Sequence, residues 1–309
     1  MEEAVRGRAN QQGAQAIPRQ AATARREAEE LQARYQKWIS RALLYLMVIS
    51  ACGLVVFPFY WMFLTSIQPL EALFRFPPYL APVNPTFESY VAIFRERPFA
   101  RWMWNSFIVS SVTTLLALTL GSVGGYNLAR FRYRGKRAVE LLILSTQMIP
   151  GVLLIIPIYV VFLKLGLLDT LAGLIIAYTT FSLPFCVWML RSYFMGIPTE
   201  LEESALVDGC TWLGALWRIT LPLSLPALVA TSMFAFVLAW DELIFAVALT
   251  NSQSVRVVSA GLAGFNTGYT IPTADLMAAS AVSTLPVLLL FLFTQRYLLS
   301  GLTAGAVKG

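Results

Sequence analysis

The stretch that decides the fold is "EESALVDGCTWLGALWRITLP", residues 202–222, a charged segment between two long apolar runs. Thr199 stands where an N-cap would, and Glu202 follows three residues later, which is the capping-box pattern of a helix start. Gly209 interrupts that helix, and Thr211 is suited to begin a second one. The stretch therefore predicts a helix, a glycine turn and a second helix, with small residues at the tip of the hairpin.

The composition of the whole chain is that of a membrane protein. Of its 309 residues 57% are hydrophobic and 13% are charged, whereas soluble domains carry about 25% charged residues. The chain has no histidine, which removes the commonest general base and the commonest metal ligand. Its three cysteines, Cys52, Cys186 and Cys210, form no CxxC pair. We therefore expect free thiols, without a disulfide framework or a metal site.

Six long apolar stretches are each near the roughly 20 residues that an α-helix needs to cross the hydrocarbon core of a bilayer. They predict an all-α protein with six transmembrane helices. Prolines within several of them predict bent helices, which suit a transport path. The continuation of the fifth stretch carries two acids, Asp241 and Glu242. The stretches are 42–67, 102–129, 141–163, 170–190, 219–240 with a continuation to 254, and 276–295.

The distribution of lysine and arginine predicts the orientation of the chain. Seventeen of these residues fall at the two termini, in the loop between spans two and three, and in the loop after span four, whereas six fall in the opposite loops. Cytoplasmic loops carry the excess in membrane proteins, so both termini and the stretch at 202–222 are expected in the cytoplasm. Anionic lipid headgroups account for the net charge of +6, and no nucleic acid is required.

This topology divides the chain into three parts. Residues 1–40 are a polar cytoplasmic tail, which we expect to be disordered before a helical lead-in over 21–37. Residues 41–299 form the transmembrane domain, in which 191–222 is the longest cytoplasmic connection between spans. Long internal connections are often functional. Residues 300–309 form a second cytoplasmic tail.

The long connection carries residues at a fixed spacing, which are Glu203, Ser204, Ala205, Asp208, Gly209, Ile219, Leu221 and Pro222. The pattern closely resembles the EAA loop of ABC importer permeases, E-A-A-x3-G-x9-I-x-L-P, with Ser204 in place of the first alanine. Asp208 beside Gly209 is similar to the sugar-importer branch of that family. An amphipathic element on the membrane surface is the alternative reading of the same loop.

The resemblance continues on both sides of the loop. Residues 105–137, "NSFIVSSVTTLLALTLGSVGGYNLARFRYRGKR", and 239–250, "AWDELIFAVALT", look like the second span with its basic loop and the fifth span of carbohydrate-type permeases. Residues 295–309, "QRYLLSGLTAGAVKG", look like the tail of the shorter permease of maltose-type importers. The likeness covers residues 42–309.

The resemblance implies the type I ABC importer permease fold in the inner membrane of a prokaryote. In that family two related permeases pair as a heterodimer, two ATPase subunits beneath them bind ATP and Mg, and an extracytoplasmic binding protein delivers the solute. The chain itself would bind no cofactor.

Two segments of this chain would then contact the ATPases. The loop would form the coupling helix that docks on one of them. The tail would reach between them as an extended insertion, although a frayed terminus is the alternative. The tail residues concerned are Gly301, Leu302, Thr303, Gly305 and Lys308.

Candidates for the solute path are polar or aromatic side chains within the spans. Ionisable groups at membrane depth usually face a cavity or a partner charge, although Asp241 can also lie near the external surface. Asp241 and Glu242 point about 100° apart on a helix, so they cannot act as a pair on one substrate atom. The resembled family usually has asparagine in place of Asp241. The other candidates, each of which could instead make an interhelical hydrogen bond, are Asn105, Tyr126, Asn127, Gln147, Thr179, Thr180, Trp240 and Asn266.

Other function classes fit the sequence less well than an importer does. The string nearest to a P-loop, "RFRYRGKR" at 130–137, lacks the first glycine and the final Ser or Thr, so ATP hydrolysis belongs to a separate chain. An ion-coupled secondary transporter usually carries intramembrane acids, histidines or paired repeats and needs no docking loop. Within the importers, the span interiors hold no lysine or arginine, which favours a neutral sugar over a glycerol-phosphate ester unless the partner permease supplies cations.

Overall fold

The computed structural model describes the backbone of residues 2–265 and 272–306 and the side chains of residues 34–265 and 272–297. Among those residues the regular structure is all helical, which confirms the predicted fold class. Contacts divide the chain into one unit at Met1–Trp61 and a second at Met62–Gly309.

The first unit is most of a single helix, α1, which runs from Glu2 to Ser66. The expectation of a disordered tail is wrong for residues 2–20, because their backbone is helical. Alanine, glutamine and arginine are frequent there, and these residues lose little free energy on entering a helix. In the membrane-length part, Arg34–Ser66, the most apolar window buries none of its residues within the chain. That surface therefore requires lipid or another chain to cover it.

The second unit holds the remaining helices, in which membrane-length segments alternate with short connecting ones. In chain order they are α2 (Leu70–Leu73), α3 (Glu88–Arg95), α4 (Phe99–Arg130), α5 (Lys136–Thr146), a 3-10 turn (Gly151–Leu154), α6 (Ile155–Leu165), α7 (Leu171–Phe194), α8 (Glu200–Val207), α9 (Trp212–Ala215), a π-helical turn (Leu216–Thr220), α10 (Leu221–Leu223), α11 (Leu225–Asp241), α12 (Ile244–Leu249), α13 (Val258–Ala263) and α14 (Thr273–Ala306).

Four described helices are long and apolar enough to cross a membrane alone, namely α1 from Arg34, α4, α7 and α14 up to Tyr297. Two bent pairs reach that length only together. The first pair joins α5 to the segment Gly151–Leu165 at a bend of 93°. The second pair joins the segment Trp212–Leu223 to α11 at a bend of 84°. Counting each pair as one span gives the six that the sequence predicts.

The carboxyl-terminal tail differs from its prediction. Helix α14 continues to Ala306, so the backbone at Gly301, Leu302, Thr303 and Gly305 is helical and not extended. Leucine and alanine surround the two glycines, and both favour continuation of a helix. Lys308 lies outside the described residues.

The second unit is organised by the close packing of α4 against α7. On α4, Gly121 and Gly125 lie on one face, and small residues at this spacing let two helix backbones approach. A Cβ atom at Gly125 would lie 2.9 Å from the backbone nitrogen of Arg191 and 3.0 Å from the carbonyl oxygen of Val187. Because backbone atoms cannot turn aside as a flexible side chain can, the helix crossing requires glycine here.

At the other end of α7, Asp169 fastens the α6–α7 connection to the segment that follows α12. Its Oδ1 accepts hydrogen bonds from the backbone N–H groups of Ser252 and Asn251, each at 2.9 Å. Its own backbone N–H donates to the carbonyl of Leu249 at 2.8 Å. The hydrogen bond from Ser252, followed by that from Asn251, lowers the pKa of the Asp169 carboxyl below its ordinary value.

We predict that Gly125→Ala lowers the melting temperature of the purified chain. Alanine gains about 1 kcal/mol of helix propensity over glycine, so any net loss must come from α4 being pushed away from α7, which costs roughly 1–3 kcal/mol. Gly53→Ala in α1 is the matched control, because no other atom lies within 4 Å of the Cβ position there. Equal melting temperatures for the two variants would contradict the packing account.

We predict that Asp169→Asn destabilises the chain at neutral pH and not in acid. The Asp169 pKa is lower in the folded state than its unfolded value of about 3.9. The stabilisation is therefore present above that unfolded value and is lost as the pH falls through the folded pKa.

The measurement is the difference in melting temperature between the parent chain and the variant as the pH is lowered from about 7 to about 2, a range that extends well below the unfolded pKa toward the lower folded one. Asp208→Asn is the control, because Asp208 is exposed. An equal difference in melting temperature at neutral and acid pH would show that the hydrogen bonds from the backbone N–H groups to residue 169 do not depend on its charge.

Candidate functional sites

Residues 200–222, which we call the loop hairpin, fold as the predicted helix, turn and helix. After α8, Gly209 has a backbone φ of +85°, which lies in the left-handed region that favours glycine. No atom lies within 4 Å of a Cβ placed there, so the backbone conformation and not space requires this glycine. Thr211 caps α9, because its hydroxyl accepts a hydrogen bond from the N–H of Gly214 at 3.1 Å.

The capping box predicted at the start of α8 is wrong. The Thr199 side chain makes no capping hydrogen bond. Glu202 turns its side chain into the protein, where the residue is 1% exposed. A buried carboxylate needs charged and polar partners, whereas an N–H group at an exposed helix start can bond to water. Pairing with partners inside the protein therefore determines the orientation of the Glu202 side chain, and capping does not.

Three side chains hold the Glu202 carboxylate. Arg130, the last residue of α4, donates from Nε to Oε2 at 2.8 Å and from Nη2 to Oε1 at 2.9 Å. The Tyr126 hydroxyl donates to Oε2 at 3.1 Å, and the Thr220 hydroxyl donates to Oε1 at 2.6 Å. Paired guanidinium–carboxylate hydrogen bonds are among the strongest in proteins and fix geometry as well as distance. We call these four residues the Glu202 cluster.

The Glu202 cluster joins three elements of the fold. Tyr126 and Arg130 come from α4, Glu202 from α8, and Thr220 from the π-helical turn. Arg130 also donates from Nη2 to the carbonyl of Ile197 in the connection before α8, at 3.0 Å. The loop hairpin is therefore fixed to the end of span two and to the beginning of span five.

The opposite side of the loop hairpin is open to solvent. Glu203, Ser204, Asp208 and Gly209 are all exposed. Of these four residues, Asp208 and Gly209 border a groove of about 280 Å³. The groove is lined by Ala205, Asp208, Gly209, Cys210, Arg218 and Ile219.

The last two motif residues, Leu221 and Pro222, differ from each other in burial. Leu221 is buried in an apolar cluster with Phe194 and Leu216, whereas Pro222 is exposed. The motif therefore combines residues that hold the hairpin in place with residues that it presents outward.

Several candidates for the solute path are engaged elsewhere in the fold. The Asn105 amide donates to the carbonyl oxygens of Ser254 and Arg256, at 3.0 and 2.9 Å. Tyr126 belongs to the Glu202 cluster. Trp240 is buried and stacks on Phe236, with ring centroids 5.6 Å apart. The structure does not bring these three together.

The remaining candidates outside the cavity described next are scattered. Asn127 and Asp241 are exposed. Thr180 is exposed and bonds within its own helix, to the carbonyl of Ile176. Thr179 is buried, and its hydroxyl has no hydrogen-bond partner in the part of the chain that the structure describes. Asn266 lies outside the described residues.

Two candidates, Gln147 and Glu242, meet at one cavity of about 320 Å³, which we call the solute cavity. Gln147 lies at the bend after α5, and Glu242 lies between α11 and α12. The rest of the lining comes from α7, α11 and α12 and consists of Tyr178, Phe181, Ser182, Phe185, Leu238, Ala239 and Phe245.

Four cavity-lining residues of α7 were not among the predicted site residues. Tyr178, Phe181, Ser182 and Phe185 follow the spacing i, i+3, i+4, i+7, which places them on one helix face. That stripe of aromatic rings with one hydroxyl was a usable signal in an otherwise aliphatic span. Glu202 was missed as a buried group because its neighbours Glu200 and Glu203 have the same chemistry.

We predict that Glu202→Gln strongly lowers the melting temperature, whereas Glu203→Gln leaves it nearly unchanged. The first change leaves the Arg130 guanidinium, whose side chain is 5% exposed, without a counter-ion, which costs roughly 3–5 kcal/mol. The second affects an exposed side chain, where changes are usually within about 0.5 kcal/mol. Thermal unfolding of the two purified variants provides the comparison. Similar losses in both would mean that burial of Glu202 is not what holds the hairpin.

Comparison with known proteins identifies the family of the chain. The family model described as binding-protein-dependent transport system inner membrane component matches residues 117–303. The chain is 37% identical to the inner membrane ABC transporter permease protein YcjP of Escherichia coli K12, over 84% of this chain and 95% of that relative. It is 34% identical to the trehalose/maltose transport system permease protein MalG of Thermococcus litoralis, over 88% of this chain and 98% of that relative.

A solved structure shares the fold. A chain of the bacterial ABC transporter that imports the acidic polysaccharide alginate superimposes with a TM-score of 0.75 at 22% identity, over 84% of this chain and 96% of that one. The all-helical architecture, the membrane-length helices and the loop hairpin therefore have a common explanation. The chain belongs to the family of binding-protein-dependent transport system inner-membrane components, and it is a permease subunit of an ABC importer with the type I fold, whose ATPase is a separate subunit.

Proposed function

We propose that this chain is one of two permease subunits of an ATP-driven sugar importer and that its loop hairpin docks on an ATPase subunit. The observation that carries the proposal is that two adjacent glutamates, Glu202 and Glu203, differ in burial and therefore in role. Glu202 is buried and fixed by three side chains, and Glu203 next to it is exposed beside Ser204. The hairpin is thus rigidly anchored on one side and presents the exposed part of the motif, including Glu203 and Ser204, on the other.

The chemistry of the outward face fits insertion into a protein cleft. Ser204, Ala205 and Gly209 are small and let a partner backbone come close. Glu203 and Asp208 are exposed acids, which suit a cleft that carries basic side chains. An amphipathic helix on the membrane surface would instead need an apolar face toward lipid and a basic polar face. The acids of α8 therefore favour a protein partner over the membrane surface.

The orientation and the other partners follow from the same assignment. The excess of lysine and arginine supports a cytoplasmic position for the termini and the loop hairpin, where the ATPases bind ATP and Mg²⁺. A second, related permease completes the path as a heterodimer. The most apolar window of the span Arg34–Ser66, none of which is buried within the chain, offers it a surface that lipid would otherwise cover. An extracytoplasmic binding protein delivers the solute on the opposite side. The tail at 300–309 adds a second contact with the ATPases.

A sugar is the solute class that the observations favour. A relative that is 34% identical over most of its length is named for trehalose and maltose transport. The solute cavity combines aromatic rings with a few polar groups, which is the usual composition of a small-molecule site. A glycerol-phosphate ester remains the competing solute within the same class of importer.

The test is uptake and ATP hydrolysis by the reconstituted complex with its binding protein. We predict that Glu203→Lys and Gly209→Pro each reduce solute uptake by at least about tenfold, a loss of 1.4 kcal/mol in coupling, because one reverses charge at the docking face and the other cannot adopt a positive φ. Glu200→Lys is the control, because it reverses an exposed acid of the same helix outside the motif.

Normal uptake by both motif variants would contradict the docking role. Uptake that proceeds without any ATPase present would instead establish a secondary transporter. Melting temperatures of the variants separate a docking defect from misfolding, because Glu203 is exposed and its replacement removes no internal contact.

A further inference from the structure

We propose that the second arm of the loop hairpin and the turn after α4 together form a binding surface for anionic lipids of the membrane. We call residues 212–223 the interfacial segment and residues 131–137 the basic turn. The inference rests on the proposed function for the cytoplasmic position of both, and it goes beyond that function because it gives the hairpin a second partner.

The interfacial segment lies nearly perpendicular to the span that follows it. Trp212–Leu223 meets α11 at a bend of 84°, and helices that cross a membrane are tilted by only about 20° on average from the bilayer normal. A segment at right angles to such a helix runs along the membrane surface. Helices in that plane bury an apolar face at the boundary between lipid headgroups and acyl chains.

One face of the interfacial segment exposes large apolar side chains. Trp212, Leu213 and Trp217 are 43%, 56% and 55% exposed, and Leu213 and Trp217 are neighbours at the spacing i, i+4. The opposite face is fixed to the protein, because Leu216 and Leu221 belong to a buried apolar cluster. A contiguous exposed apolar patch marks a contact with lipid or with another protein, and tryptophan is enriched where a membrane meets water.

The basic turn supplies the charge that an anionic headgroup requires. Arg132, Arg134 and Arg137 are exposed, and none of them forms an ion pair with an acid that the structure describes. Lys136 donates from Nζ to the carbonyl oxygen of Phe131 at 3.2 Å, which closes the turn and keeps the three arginines close together. Unpaired cations at the cytoplasmic surface attract the anionic lipids of that leaflet.

The basic turn and the interfacial segment are in contact. The Phe131 ring packs against the Trp212 ring, with centroids 5.1 Å apart and planes inclined by 64°. Arg132 follows Phe131 directly in the chain, so the cationic groups begin beside the aromatic ones. A bilayer surface offers both matching features together, since anionic headgroups border the apolar acyl region.

The charges of the two hairpin arms distinguish the lipid surface from the face proposed for the ATPase. Helix α8 carries exposed acids, among them Glu200 and Glu203, which an anionic membrane repels. The interfacial segment has no acid, and its one charged residue is Arg218. The second arm therefore matches the membrane, whereas the first arm matches a basic protein cleft.

A lipid bound at this surface would act on the anchor of the hairpin. Arg130, which holds the Glu202 carboxylate, directly precedes Phe131, and the Phe131 ring also contacts the Tyr126 ring of the Glu202 cluster, with centroids 6.2 Å apart. Anionic lipid would thus hold the hairpin and the end of α4 at the membrane as one body. We expect ATP hydrolysis by the complex to be faster when anionic lipid is present.

The first experiment measures contact with lipid. The complete complex with its ATPases is placed in phosphatidylcholine nanodiscs that contain either brominated phosphatidylcholine or brominated phosphatidylglycerol, which quench tryptophan fluorescence. The Trp217 signal is the difference between the parent and Trp217→Phe. We expect the anionic lipid to quench it at least about threefold more effectively than the neutral one. The combined variant Arg132→Gln, Arg134→Gln, Arg137→Gln is expected to lose this preference.

The matched control is the combined variant Arg34→Gln, Lys37→Gln, Arg41→Gln, which removes three exposed cations of α1 and is expected to keep the preference. Equal quenching of the parent by both lipids would overturn the proposal. Quenching of Trp217 in the purified chain that disappears when the ATPases bind would also overturn it, because the ATPase would then cover the interfacial segment. Equal melting temperatures of the two combined variants would show that the loss of preference does not arise from misfolding.

The second experiment measures ATP hydrolysis by the complex with its binding protein, in vesicles of phosphatidylcholine alone or mixed in equal parts with phosphatidylglycerol. We expect hydrolysis to be at least about threefold faster in the mixed vesicles for the parent and the α1 variant, and equal in both for the basic-turn variant. An undiminished lipid effect in the basic-turn variant would overturn the regulatory part of the proposal. Absence of ATP hydrolysis in every vesicle, with the quenching preference intact, would overturn the importer function and leave the lipid surface established.

Discussion

The rest of the structure depends on the pairing of Glu202 with Arg130. Both side chains are almost wholly removed from solvent, at 1% and 5% exposure, and neither charge could stay there without the other. Their pairing fixes α8 against the end of α4, and the Thr220 hydroxyl adds the π-helical turn that begins span five. A loop between spans could otherwise move freely on the surface. Here it becomes an extension of the helices that it connects.

Buried polar groups of this chain differ in whether their hydrogen-bonding atoms have partners. In the Glu202 cluster both oxygens of the carboxylate are bonded to partners from the protein itself, which gives a rigid joint. On α7, by contrast, the buried Thr179 hydroxyl has no hydrogen-bond partner in the part of the chain that the structure describes. A satisfied network gives rigidity, whereas an unsatisfied one is costly until something binds. The first arrangement gives the rigid joint that the proposed docking of the loop hairpin requires.

The apolar stretches and the loop motif predict six spans and the helix–turn–helix hairpin, because length and local turn chemistry decide both. They could not show which of three nearby glutamates turns inward, since Glu200, Glu202 and Glu203 are locally equivalent and only the position of Arg130 distinguishes them. Nor could they show that Gln147 and Glu242, nearly one hundred residues apart, share a cavity while Asn105, Tyr126 and Trp240 do not. Contacts between distant spans decide that outcome.

The central claim is that the buried ion pair holds the loop hairpin in its working position. A double-mutant cycle tests it most directly, with Arg130→Met, Glu202→Met and the two combined, measured as solute taken up per ATP hydrolysed. Each single change leaves one buried charge unpaired, while the combined change leaves none. We predict that the single variants lose coupling and that the double variant recovers a large part of it. Losses that simply add in the double variant would contradict the account.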